Sequence, residues 1–212
     1  MKKNRIYCIG EEISHSISHG IGTLLSIVAL IVFLVFSSKQ KDTLKIVSLS
    51  IYGASLVLLY LSSTLYHSLS FTKSKKVFKR IDHSMIYLLI AGTYTPILLG
   101  PLKSKLGWIL FGVIWTLAVI GSVFKSVFFG KNEFISTLLY VLMGWLIVIV
   151  IKQALIMLPH GLFFWMLSGG IAYTLGVVFY LWKRPAYSHF VWHLFVLTGS
   201  FLHFLGIFFY IL

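Results

Sequence analysis

The chain is built from long apolar stretches separated by short polar connections. Seven of these stretches can cross about 30 Å of hydrocarbon at a helical rise of about 1.5 Å per residue. The connections are short and rich in turn-forming residues, which leaves almost no chain for a soluble domain. The pattern predicts an all-α membrane protein with a seven-transmembrane helix bundle. Its spans lie near residues 16–37, 44–69, 81–101, 106–129, 134–157, 161–182 and 187–212.

The domain organisation that follows is simple. Residues 1–15 form a short N-terminal segment, and residues 16–212 form one transmembrane domain. The first apolar run is too long for the core of a signal peptide, so we expect it to remain as a helix. Composition agrees, because only 11% of the residues are charged, against about a quarter in a soluble domain.

The charge of the chain is strongly positive, at +13 for 212 residues. Counted on alternate sides of the seven spans, 12 of the Lys and Arg residues share the side of the N-terminus and 6 lie on the other. The positive-inside rule then places the N-terminus in the cytoplasm and the C-terminus outside. The positive charge is therefore interpreted as topology and contact with anionic lipid, and no nucleic-acid partner is expected.

Polar residues gather at the cytoplasmic level of three predicted spans. Ser63 and His67 end the second span, Asp82 opens the third, and His189 and His193 open the seventh. Positions i and i+4 share a helix face, so His189 and His193 can point at one ion. Three neutral imidazoles are the protein ligands of an open zinc site, in which water takes the fourth place. The spacing favours a Zn²⁺ site, with packing histidines as the alternative.

Asp82 is the one acid placed within a helix beside these histidines. Burying a carboxylate costs several kcal/mol unless a cation compensates it, and a divalent metal would do so. The alternative is a carboxylate that stabilises the helix N-terminus or pairs with Lys79 or Arg80.

Other histidines have no role that the pattern assigns. His203 lies about 15 Å deeper than His193 at helical rise, too far for the same ion. Glu12, His15 and His19 lie near the start of the first span, either around the site or as part of an N-terminal cap.

Several segments closely resemble the bacterial hemolysin III family, part of the progestin and adipoQ receptor superfamily that includes the adiponectin receptors. The resemblance covers nearly the whole chain, and its most specific elements are SxxxH, the Asp of the third span and HxxxH. It implies a multi-pass protein of the bacterial plasma membrane. The segments are "EEISHSISHGIG", "SIYGASLVLLYLSSTLYHSL", "RIDHSMIYLLIAGTYTP", "MGWL" and "YSHFVWHLFVLTGSFLHFLG".

The resemblance also implies a set of roles. It makes His67, His189 and His193 the zinc ligands near the cytoplasmic side, Asp82 the group acting through the zinc-bound water, and Ser63 the matching serine. The expected catalytic residues are then Asp82, which accepts the proton of that water, and Ser63, which hydrogen-bonds to the water or to a developing oxyanion. The adiponectin receptors are associated with ceramidase activity, so the expected reaction is hydrolysis of a lipid amide or ester.

Two other classes of function stay open. One is a non-enzymatic regulator or sensor of membrane lipid, in which the zinc is structural. The other is the cytolysin that the family name implies. A pore-lining helix should carry a polar stripe, whereas these spans are apolar around most of their circumference, so we place this class third. In every class the expected partners are membrane lipids, as substrate or ligand.

Overall fold

The computed structural model describes residues 7–70, 72–127, 133–182 and 184–212, and within these ranges all regular structure is helical. Helix α5 is followed by a short 3₁₀ helix, Leu146–Val150, that leads directly into α6. The α-helices are α1 (Ile9–Lys39), α2 (Thr43–Ser68), α3 (Lys75–Leu99), α4 (Lys105–Val127), α5 (Glu133–Gly144), α6 (Ile151–Met157), α7 (His160–Leu181) and α8 (Ser188–Tyr210).

Six helical units among the described residues are long and apolar enough to cross a membrane: α1, α2, α4, Phe134–Met157 (which joins α5 to α6), α7 and α8. Helix α3 is more polar than these, with charged first turns and a Thr-Tyr-Thr-Pro run near its end. The seven-span count and the orientation of the termini therefore stay predictions. Five of the basic residues used for that orientation lie outside the described ranges: Lys2, Lys3, Arg5, Lys131 and Lys183.

Two helices begin earlier than the apolar pattern predicts. Helix α1 begins at Ile9, where the Glu11 carboxylate accepts a hydrogen bond from the Cys8 N–H at 3.0 Å. A polar first turn is compatible with a helix when its free N–H groups find such partners. Helix α3 begins at Lys75, so Asp82 lies about two turns inside it rather than in its first turn.

The predicted fifth span is interrupted near its middle. The Tyr94 hydroxyl of α3 donates to the Gly144 carbonyl at 2.7 Å and accepts from the Ile147 N–H at 3.0 Å. One side chain thus bonds a backbone carbonyl before the irregular turn and a backbone N–H group after it. An apolar run alone carries no signal for such a break.

Helices α1, α2 and α8 pack closely on the side of the bundle where the histidines lie. A Cβ atom added to Gly22 of α1 would lie 2.6 Å from Tyr60 of α2 and 2.9 Å from Leu197 of α8. Tyr60 then joins α2 to α8, because its hydroxyl donates to Ser200 at 2.7 Å. This packing fixes the mutual position of the three helices that carry the site.

Candidate metal centre

The three predicted metal ligands come together in space. One ligand atom each from His67 at the end of α2 and from His189 and His193 at the start of α8 lie within 4.8 Å of one another. His67 and His193 are each 1% exposed, and His189 is partly buried. The i, i+4 spacing thus places both α8 rings on one face, with ring centres 4.7 Å apart.

Hydrogen-bond partners indicate the tautomers of two of these rings. His67 Nδ1 lies 2.7 Å from Glu12 Oε2, and because a carboxylate only accepts, Nδ1 carries the proton. The Ser18 hydroxyl donates to the His15 carbonyl at 2.9 Å, so its oxygen accepts from His193 Nδ1 at 3.1 Å. In both rings the lone pair is therefore on Nε2. His67 Nε2 is buried without a hydrogen-bond partner among the described residues, as expected of an atom that binds a metal.

Helix α1 contributes a second group that the sequence left without a role. Ligand atoms of Glu12, His15 and His67 also lie within 4.8 Å of one another, so His67 belongs to both groups. Glu12 and His15 are 4% and 0% exposed. The available signal was the spacing of Glu12, His15 and His19, which places all three near one helical face.

Two neighbouring acids hold the start of α1 against three other helices. Glu11 Oε1 accepts from the Tyr187 N–H at 2.9 Å, directly before α8. Glu12 binds His67 of α2 through Oε2 and Lys75 of α3 through Oε1, the latter at 2.6 Å. Both carboxylates are buried, and each has polar partners that compensate for its loss of water.

His15 and His19 complete a cluster of imidazoles. The ring centre of His15 lies 4.6, 4.9 and 5.2 Å from those of His67, His189 and His193. His19 stacks on His193 with ring centres 3.6 Å apart. All four nitrogens of His15 and His19 are buried without a hydrogen-bond partner among the described residues. Buried polar atoms rarely lack a hydrogen-bond partner, so these nitrogens are suited to binding a metal ion.

Asp82 and Ser63, the predicted catalytic residues, lie close to each other. The Ser63 hydroxyl lies near the Asp82 carboxylate, and the Asp82 side chain is 15% exposed. Ser63 lies one turn before His67 on α2, which brings this pair to the side of α2 that carries the site. Asp82 Oδ2 is also 3.5 Å from His83 Nδ1. Asp82 is not part of either metal-binding group found among the described residues.

An apolar cavity of about 120 Å³ is lined by residues of α2, α3, α5, α7 and α8. Trp192, Val196 and His203 of α8 line it, and the five clustered histidines do not. His203 itself is separate from the cluster, because its Nε2 binds the Met166 carbonyl at 3.0 Å. A second cavity of about 100 Å³ shares His203 and extends to Leu158.

The donor set is that of a divalent metal site. It offers imidazole nitrogens and one carboxylate, which suit zinc and neighbouring transition metals. The chain therefore carries a buried residue cluster that can bind a metal ion. Which ion it binds, and through which atoms, stays a prediction.

Comparison with known proteins shows the family of the chain. The family described as Haemolysin-III related matches residues 7–204. Hemolysin-3 of Bacillus cereus is 48% identical over 96% of this chain and 93% of its own length. The Hemolysin-3 homolog of Bacillus subtilis (strain 168) is 47% identical over 97% of this chain and 96% of its own length. More distantly, human monocyte to macrophage differentiation factor is 32% identical over 76% of this chain and 69% of its own length. With its apolar helices, the chain is a multi-pass bacterial membrane protein that belongs to the haemolysin-III-related family.

Proposed function

We propose that the protein is a zinc-dependent intramembrane hydrolase of a lipid amide or ester. The observation that carries this proposal is the group formed by His67, His189 and His193, with ligand atoms within 4.8 Å of one another. Three imidazoles hold zinc and leave a coordination position free. Zinc bound there would polarise a carbonyl group and lower the pKa of a coordinated water.

Asp82 and Ser63 supply the proton chemistry in this proposal. The Asp82 carboxylate accepts a proton from the attacking water and returns it to the leaving group. The Ser63 hydroxyl, near Asp82, holds that carboxylate in position and offers a dipole to the substrate oxygen.

The apolar cavity supports a lipid as the substrate. From Trp192 to His203 it follows roughly 16 Å of α8 at helical rise, and its lining is largely hydrophobic and aromatic. An acyl chain placed there would contact Trp192, the residue before His193 in the chain. In this proposal the protein's partners are membrane lipids, which bind as substrate or ligand.

The test is release of fatty acid from defined lipids by purified protein in vesicles. One N-acyl amide lipid and one ester lipid serve as probes for the native chain and for Asp82→Asn. We expect Asp82→Asn to keep its zinc and to lose at least a hundredfold in rate, since general base catalysis contributes about 10²–10⁴-fold. Asp42→Asn is the matched control, because this exposed acid caps α2 and Asn is an equally good cap. An Asp82→Asn variant as active as the control would contradict the proposal.

The closeness of His15 to the three predicted ligands favours a second function. If this ring supplies a fourth nitrogen, the zinc site is closed, and closed four-ligand sites are usually structural. The protein would then be a non-enzymatic regulator or sensor of membrane lipid, in which zinc joins α1, α2 and α8. The approach of His15 to within 5.2 Å of all three other rings supports this alternative.

His15→Gln separates the two functions. For an open site, we expect the variant to retain zinc within about threefold of the native affinity, because no ligand has been removed. For a closed site, we expect a loss of at least a hundredfold in zinc affinity and no hydrolysis in either protein. The measurements are zinc competition with a chelator and the same fatty-acid assay.

A further inference from the structure

We propose that helix α1 positions the metal ligands, with Glu12 acting through His67 and Ser18 acting through His193. This inference rests on the proposed metal site and adds residues that do not themselves bind the ion. Each of them determines which ring nitrogen carries the proton, and so which nitrogen is free to bind the metal.

The contact of Glu12 with His67 has the geometry of a positioning interaction. Oε2 and Nδ1 are 2.7 Å apart, a distance typical of a direct, charge-assisted hydrogen bond. Both side chains are buried, at 4% and 1% exposure, so water cannot readily replace the bond. With the proton held on Nδ1, His67 presents the Nε2 lone pair that has no other partner among the described residues. Metal-binding histidines usually donate their second N–H in this way.

Lys75 determines how Glu12 is oriented. Its Nζ lies 2.6 Å from Oε1, so the second carboxylate oxygen is held by α3 while the first accepts from His67. The ion pair also compensates the charge of Glu12 in a buried setting. Glu12 is thereby better suited to position a ligand than to bind a second divalent ion, whose charge would remain uncompensated.

Ser18 gives His193 the same tautomer by a different route. Its hydroxyl proton is donated to the His15 carbonyl at 2.9 Å, and its oxygen accepts from His193 Nδ1 at 3.1 Å. Ser18 lies six residues after Glu12 on α1. One helix therefore contacts the ligand of α2 through Glu12 and a ligand of α8 through Ser18.

The substitution Glu12→Gln tests this arrangement sharply because Lys75 only donates hydrogen bonds. In this variant Lys75 would donate to the side-chain carbonyl oxygen of Gln. The side-chain NH₂ group would then face His67 Nδ1. His67 must then accept at Nδ1 and carry its proton on Nε2, the atom needed by the metal. We expect zinc affinity to fall by about 10–100-fold, the usual effect of losing such a partner.

Removing Lys75 as well should reverse part of that loss. In Glu12→Gln/Lys75→Met the Gln side chain is free to turn its oxygen towards His67 and restore the Nδ1–H tautomer. We expect the double variant to bind zinc at least threefold more tightly than Glu12→Gln alone. A merely structural role for the ion pair predicts the opposite order, because the double variant loses more contacts.

The experiment measures zinc affinity by chelator competition on the full chain in detergent, together with ¹⁵N NMR spectra of the histidine rings. Ser18→Ala is the independent second variant, with an expected loss of about tenfold and a changed His193 signal. Asp42→Asn, an exposed acid remote from the histidines in sequence, is expected to match the native affinity. A weaker Glu12→Gln/Lys75→Met than Glu12→Gln, or an unchanged Ser18→Ala, would overturn the proposal.

Cobalt substitution separates positioning from direct ligation. At saturating Co²⁺, we expect Glu12→Gln to show the same visible absorption as the native protein, because the ligand set is unchanged. A changed spectrum would make Glu12 a ligand and refute the inference. If the native chain itself binds no metal, the proposed function fails first; if it binds metal and the variants behave as the control does, only this inference fails.

Discussion

Replacing the three predicted zinc ligands one at a time gives the most direct measure of the site. In His67→Gln, His189→Gln and His193→Gln, the side chain keeps some volume and hydrogen-bonding capacity but offers the ion no imidazole. Structural zinc sites contribute about 10–16 kcal/mol through four ligands, or roughly 2.5–4 kcal/mol each. A loss of that size is about a 100–1,000-fold fall in affinity. We expect all three variants to reach it, because each ring belongs to the same group of ligand atoms.

The assay is zinc content per chain by plasma mass spectrometry, followed by competition with a chelator for variants that elute as a single species. His203→Gln is the matched control, since it lies about 15 Å further along α8 than His193 and binds the Met166 carbonyl. We expect it to hold about one zinc per chain, as the native protein does. If His203→Gln lost as much zinc as His193→Gln, or if the native chain held none, the reasoning from the histidine cluster would be refuted.

Four further predictions concern neighbouring features. Ser63→Ala should leave zinc content unchanged but lower fatty-acid release by about tenfold, since it removes the hydroxyl beside Asp82; an unchanged rate would contradict this role. Tyr94→Phe should lower the thermal midpoint through a loss of about 2 kcal/mol, because two backbone groups lose their partner; thermal unfolding in detergent measures it. Gly22→Ala should cost about 1–3 kcal/mol and weaken zinc binding by separating α1 from α2 and α8. Purified protein should leave the conductance of intact vesicles unchanged, whereas a stable increase would favour the cytolysin class.

The sequence predicted the parts of the site that rest on spacing within one helix. His189 and His193 share a face because of the i, i+4 rule, and Ser63 and His67 follow the same rule. Their convergence also depended on which ends of the predicted helices lie at one membrane level. For His67 of α2 and the two histidines of α8, the ligand atoms do lie close together, whereas Asp82 of α3 is not part of that group.

The contribution of α1 could not be derived in the same way. The apolar pattern placed the first span at residue 16, so Glu12 and His15 fell before it. The helix begins at Ile9 because Glu11 bonds the N–H groups of Cys8 and Tyr187, and one of those partners is 176 residues away. Hydrophobicity reports where a helix enters hydrocarbon, not where its polar first turns are stabilised by other helices.

Four helices meet at the cluster, and their contacts connect metal binding to the packing of the bundle. Glu11 joins α1 to the start of α8, and Glu12 joins it to α2 and α3. The ion would add bonds between α2 and α8 through His67 and His193, whose rings α1 already orients. Without the ion, buried imidazole nitrogens such as His67 Nε2 have no hydrogen-bond partner within the described part of the chain, which costs about 1–3 kcal/mol for each such group. Metal loss should therefore loosen α1 and the first turns of α8 together, and hydrogen exchange should rise first in these segments.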